Sequence, residues 1–162
     1  MAIESPLNGM RILIVDDEPD ILDSLEDLLS MCDVIRASSF DEAKKLLENE
    51  KFDFAILDIM GVAGYDLLKI ASRRKVTAVM LTAHAFSPDN VVRSYKGGAA
   101  FYVPKEKMVE IETYLNDILD SLKKGKSPWN LWFKRLGAYC EQHFGPDWQK
   151  SDKIFWEKFP FH

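Results

Sequence analysis

The chain has 162 residues, 47% of them apolar and 29% charged, and carries a formal net charge of -5. That length supports one well-buried core with an appendage rather than two full domains, and the composition excludes a disordered or fibrous chain. The acidic balance argues against nonspecific nucleic-acid binding, and the two distant cysteines, Cys32 and Cys140, fit no metal-ligand spacing. No apolar run approaches the roughly 20 residues that span a bilayer. With no signal-peptide pattern at the N-terminus, the expected location is the reducing cytoplasm.

Residues 11–15 form a nearly unbroken apolar run that ends in acids, the pattern of a parallel strand buried on both faces. From Pro19, the apolar positions Ile21, Leu22, Leu25, Leu28 and Leu29 recur at helical spacing, with acids early where the helix dipole favours them. Residues 33–37 predict a weaker second strand, and Ser39 caps a helix from Phe40 to about Asn49. A third strand, residues 54–57, ends in Asp58, and a Gly-containing loop leads to a helix over residues 65–73. Residues 76–81 form a fourth strand ending at Thr82. A helix through Val91, Val92 and Tyr95 is closed by Gly97 and Gly98 before a short strand over residues 100–103. An amphipathic helix over residues 106–122 follows Lys105, with Met108, Ile111, Tyr114, Leu115, Ile118 and Leu119 on its inner stripe. Five strands alternating with five helices over residues 10–124 predict an α/β fold: a doubly wound parallel sheet with helices on both faces and right-handed crossovers.

Residues 123–128 break the pattern as a linker. Beyond it, residues 125–162 form an aromatic-rich extension that holds all four tryptophans: Trp129, Trp132, Trp148 and Trp156. Ser127 and Pro128 start a helix whose stripe is Trp129, Trp132, Phe133 and Leu136 and which stops near Gly145; a short helix near residues 152–158 follows. So large an apolar payload must be buried, either as an extension docked on the first domain or against a partner or second copy in a homodimer.

Ligands of a doubly wound sheet bind outside the carboxyl ends of its strands, which gathers Asp16, Asp17, Asp58, Thr82 and Lys105 at one edge. Three carboxylates held together repel one another and call for a hard cation; an all-oxygen set with room for water suits Mg²⁺. Beside such a cation one carboxylate can attack phosphorus, with the Lys105 ammonium and Thr82 hydroxyl as donors to the phosphoryl oxygens.

Over residues 10–124 the chain resembles the receiver domains of bacterial two-component response regulators. Ile-Leu-Ile-Val-Asp16-Asp17-Glu18 resembles the family's acidic pair, Ala-Ile-Leu-Asp58-Ile its phosphoacceptor strand, Met-Leu-Thr82-Ala83 its switch threonine, and Phe-Tyr102-Val-Pro-Lys105 its aromatic and lysine. The resemblance implies a flavodoxin-like sheet of order 2-1-3-4-5 and a phosphoacceptor role for Asp58. It also implies that Asp17 ligates Mg²⁺ directly, Asp16 through water and Met60 through its carbonyl, with Asp58 itself in the metal set. Thr82 and Lys105 would bind the phosphoryl group. Thr82 and Tyr102 would move as the switch, altering the surface formed by the fourth helix, fifth strand and fifth helix. A sensor histidine kinase or phosphotransfer protein is the implied donor and another protein the reader of the altered surface. Two departures stand out. The loop after Asp58 is shorter by about two residues and lacks the family's proline, and Pro104 precedes Lys105 instead of following it.

Tyr102 is expected to be partly exposed, and His84 to be a solvated loop residue. With no helix-turn-helix or basic helix in the extension, direct DNA binding is not expected. The leading expectation is a signalling domain rather than an enzyme. The rivals are a receiver-like binding module that works without phosphorylation, and a Mg²⁺-dependent phosphohydrolase with Asp58 as nucleophile.

Overall fold

The computed structural model describes residues 5–83, 86–149 and 153–158. Five strands, β1 (Arg11–Val15), β2 (Asp33–Ala37), β3 (Phe54–Asp58), β4 (Thr77–Thr82) and β5 (Phe101–Pro104), form one sheet in the order β2-β1-β3-β4-β5. Every neighbouring pair is parallel, with Val15 opposite Leu57, Asp58 opposite Leu81, and Thr82 opposite Pro104. Five helices alternate with them: α1 (Pro19–Leu28), α2 (Phe40–Asn49), α3 (Gly64–Arg73), α4 (Pro88–Lys96) and α5 (Ile111–Lys123). The chain steps outward from β1 to β2, then runs the opposite way through β3, β4 and β5. Right-handed crossovers therefore put α1 on one face and α2, α3 and α4 on the other. Both faces are thus covered, so the central strands are apolar on both sides: every side chain from Phe54 to Asp58 is buried.

Local chemistry sets the helix ends. Ser39 Oγ accepts from the Glu42 amide at 3.3 Å, and Ser87 Oγ from the Asn90 amide at 3.2 Å. The helix expected over residues 106–122 differs: residues Lys105–Glu110 wind as a 3-10 helix and α5 starts only at Ile111. Pro104 stands at its N-terminus with no side-chain cap, and tighter i to i+3 bonds satisfy amides that a cap would otherwise take.

The extension forms α6 (Trp129–Phe144) and α7 (Lys153–Lys158). α6 docks on the domain, burying Trp129, Trp132, Leu136 and Cys140, while Phe133 is only partly buried. Its indoles bond to backbone at the edge of the sheet: Trp129 Nε1 donates to the Ala99 carbonyl and Trp132 Nε1 to the Tyr102 carbonyl, both at 2.8 Å. Phe155 of α7 meets Tyr95 of α4, with ring centroids 5.3 Å apart. Phe159 and Phe161, part of the same aromatic run, lie outside the described residues.

Candidate acidic site at the strand ends

The strand ends bring Asp16, Asp17, Asp58, Thr82 and Lys105 to one edge because β1, β3, β4 and β5 are parallel neighbours in register. Asp17, Glu18, Asp58, Met60, Thr82 and Lys105 line a cavity of about 150 Å³. Asp16 lies fully buried beneath it, with Oδ1 accepting from the Glu18 amide at 2.9 Å. Lys105 Nζ stands 3.0 Å from Asp16 Oδ2, 3.1 Å from Glu18 Oε1 and 3.4 Å from Asp58 Oδ1. Burial works against the Lys105 charge, but bonds to Asp16 and Glu18 outweigh it and raise its pKa. Burial likewise pushes the Asp16 carboxyl above its usual value, against the lowering effects of the Glu18 amide and Lys105.

The donor set fits a hard divalent cation. Carboxylate oxygens of Asp16, Asp17 and Glu18 all lie within 4.8 Å of one another, and all are oxygen ligands. Asp16 Oδ2 is buried with the Lys105 ammonium 3.0 Å away, and that single ammonium is shared with Glu18 and Asp58. One positive charge among these carboxylates leaves an excess of negative charge that a cation would offset. Glu18 joins the cluster although neither composition nor strand-end position singles it out beyond its adjacency to the acidic pair.

The loop after Asp58 is built around two glycines. Gly61 donates its amide to Asp58 Oδ2 at 3.0 Å, and a Cβ at this position would fall on the Asp17 carboxylate. A Cβ on Gly64 would strike the Asp58 carbonyl oxygen and sit 2.8 Å from Ile59 Cα. Between them Ala63 takes a left-handed conformation, φ 54°, and the Gly64 amide closes the turn onto the Ile59 carbonyl at 3.0 Å. The loop thus keeps the acids in place by bringing its backbone against them. The crowding at Gly61 and Gly64 leaves no signature in sequence beyond glycine itself.

Tyr102 departs from expectation. It is fully buried, because α6 covers β5 and Phe86 stacks on its ring with centroids 5.6 Å apart. Its hydroxyl faces the Ser87 amide at 3.4 Å, and burial raises its pKa. His84 lies outside the described residues. A larger hollow of about 400 Å³ at the opposite end of the strands is bordered by Arg11, whose guanidinium is already engaged by Asp33 and Glu50.

The model of the response regulator receiver domain matches residues 12–116. The chain belongs to that family. The receiver is 33% identical over 105 residues to the response regulator protein PilR of Pseudomonas aeruginosa, a match covering 61% of this chain and 23% of PilR. It is 35% identical over 104 residues to the two-component response regulator ARR18 of Arabidopsis thaliana, covering 60% of this chain and 16% of that protein. The chain spans less than a quarter of the length of either relative. Among solved structures, a CheY-like receiver domain protein from Methanospirillum hungatei is 31% identical with a TM-score of 0.65, covering 72% of this chain and 98% of the other. A response regulator from Burkholderia pseudomallei, solved with a phosphorylated aspartic acid and a calcium ion, is 26% identical with a TM-score of 0.56, covering 63% and 65%. The receiver is accordingly a domain of two-component signalling, with an acidic pocket of the kind in which such domains bind Mg²⁺. Among its described residues no helix is long and apolar enough to cross a membrane.

Proposed function

We propose that residues 10–124 are a phosphorylation-activated receiver and residues 125–162 its regulatory extension. On this reading Asp58 accepts a phosphoryl group from a sensor histidine kinase or phosphotransfer protein in the cytoplasm, and output runs through protein contact. The observation that carries the reading is the placement of Lys105: one ammonium within 3.4 Å of both a fully buried aspartate and Asp58 at the mouth of an acidic cavity. An Asp58 carboxylate oxygen attacks phosphorus of the phosphohistidine, the P–N bond breaks, and its electron pair leaves with the imidazole. The product is an acyl phosphate. Lys105 offers an ammonium to one phosphoryl oxygen and Thr82, buried at the end of β4, a hydroxyl to another. Asp16, Asp17 and the Met60 carbonyl, with Glu18 beside them, would hold Mg²⁺, which when bound offsets the negative charge of acids and phosphoryl group together.

Intact-mass analysis after incubation with acetyl phosphate and Mg²⁺ tests this. A gain of one phosphoryl group in the parent chain and none in Asp58→Asn is the expected result. A folded parent chain that never gains the mass would favour a phosphorylation-independent binding module, and steady turnover of small phosphate esters would favour a phosphohydrolase.

The loop supplies a second prediction. Gly61→Ala drives a methyl group into the Asp17 carboxylate, so Mg²⁺ affinity measured by calorimetric titration should fall by about tenfold, the cost of one disturbed charged ligand. An unchanged affinity would show that the Asp17 side chain yields to the methyl group or takes no part in holding the ion.

A further inference from the structure

We infer that α6 is a built-in occupant of the surface formed by α4, β5 and α5, and that a phosphoryl group on Asp58 loosens it. The inference rests on the phosphoacceptor role proposed above for Asp58.

The docking is specific. Besides the two indole bonds to the backbone of Ala99 and Tyr102, Arg135 of α6 grips Asp117 of α5 with two nitrogens, at 2.9 and 3.2 Å. The Tyr95 ring of α4 packs edge-on to Trp129, with centroids 5.6 Å apart. All three elements of the face are therefore engaged by one helix. The outward positions of that helix are polar or small, including exposed Lys134, Ala138, Glu141 and Gln142, so its apolar payload is spent within the chain.

Two paths run from the acidic cavity to α6. Lys105 begins the 3-10 helix, and its neighbour Glu106 accepts from the Tyr139 hydroxyl of α6 at 2.9 Å. Thr82 is four residues before Phe86, which inserts between Tyr102 and α6, 5.3 Å from Tyr139 and 4.7 Å from Phe144 between ring centroids. Lys105 and Thr82 are the two groups that a new phosphoryl charge attracts. Either movement shifts a segment packed directly on α6. Closely packed contacts made with the unmodified chain do not stretch: a displacement of Phe86 or Glu106 toward Asp58 forfeits them and favours the undocked helix.

Cys140 reports the state of the helix. It lies on the inner face of α6, fully buried, and burial pushes its thiol up to about 12, which suppresses alkylation at neutral pH. In a Cys32→Ser chain it is the one remaining thiol. This chain is treated with iodoacetamide in the presence of Mg²⁺, with and without acetyl phosphate, and the intact mass reads the phosphoryl group and the alkyl group on the same molecule. Alkylation is expected to be at least about tenfold faster on phosphorylated molecules, with no gain in Asp58→Asn. Equal or slower alkylation of molecules that carry the phosphoryl group overturns the inference while leaving Asp58 as acceptor. Absence of the phosphoryl mass overturns the acceptor reading first, and the inference with it. Trp132→Phe, which keeps a ring but loses the bond to Tyr102, is expected to speed alkylation without any donor on the order of fivefold, the share of one hydrogen bond. A rate equal to the parent's would show that this bond does not hold the helix, against the inference.

Discussion

Trp132→Ala lowers the free energy of unfolding by about 3–5 kcal/mol, the range for deleting a buried aromatic ring. Trp132 is the largest fully buried side chain of α6, and its indole satisfies the Tyr102 carbonyl at the edge of the sheet. Truncation therefore opens a cavity and removes a buried donor in one step. Urea denaturation followed by circular dichroism checks this. A lower midpoint at unchanged slope means that α6 unfolds together with the receiver, while a shallower slope means that it leaves before the core does. A loss below about 1 kcal/mol would show that the docked helix contributes little to the cooperative fold.

Lys105→Met acts on the other end of the same structure. Removing the ammonium leaves Asp16 buried and Asp58 nearly so without their shared counter-charge, and breaking such a pair costs about 3–5 kcal/mol. Magnesium should restore most of that stability, because the cation takes over the neutralisation, so the midpoint gains more from Mg²⁺ in the variant than in the parent. The pH dependence has a definite sign. A carboxylate whose pKa is raised by folding penalises the fold above that raised value and ceases to do so as pH falls through it toward the ordinary carboxylate value. Losing Lys105 removes one of the effects that lower the Asp16 pKa, so the variant should regain stability on mild acidification while the parent gains less. Thermal melts at several pH values, with and without Mg²⁺, read both effects. A variant as stable as its parent in the absence of metal would show that water, not Lys105, neutralises these acids.

Much of this was legible in the residues. Apolar runs that end in Asp16, Asp58 and Thr82, alternating with amphipathic helices, carry the α/β class, and parallel strands have their carboxyl ends on one side, so the acids, threonine and lysine had to share an edge. Periodicity reports which face of an element is buried, and strand-end chemistry is local to each segment; both are encoded by near neighbours in sequence. What only the tertiary structure decided depends on residues far apart in the chain. Glu18 is tied to the end of β5 by Lys105, 87 positions away. Gly61 matters because its backbone lies against Asp17, and Gly64 because its backbone lies against that of Asp58. Tyr102 reads as a strand aromatic with one face toward solvent, yet it is buried because Trp132, 30 positions further on, bonds to its carbonyl under a helix that no pattern in β5 announces. The aromatic stripe of α6 specified that something must cover it; which surface did so was decided by the edge carbonyls and the rings of Phe86 and Tyr95, which meet only in the folded chain.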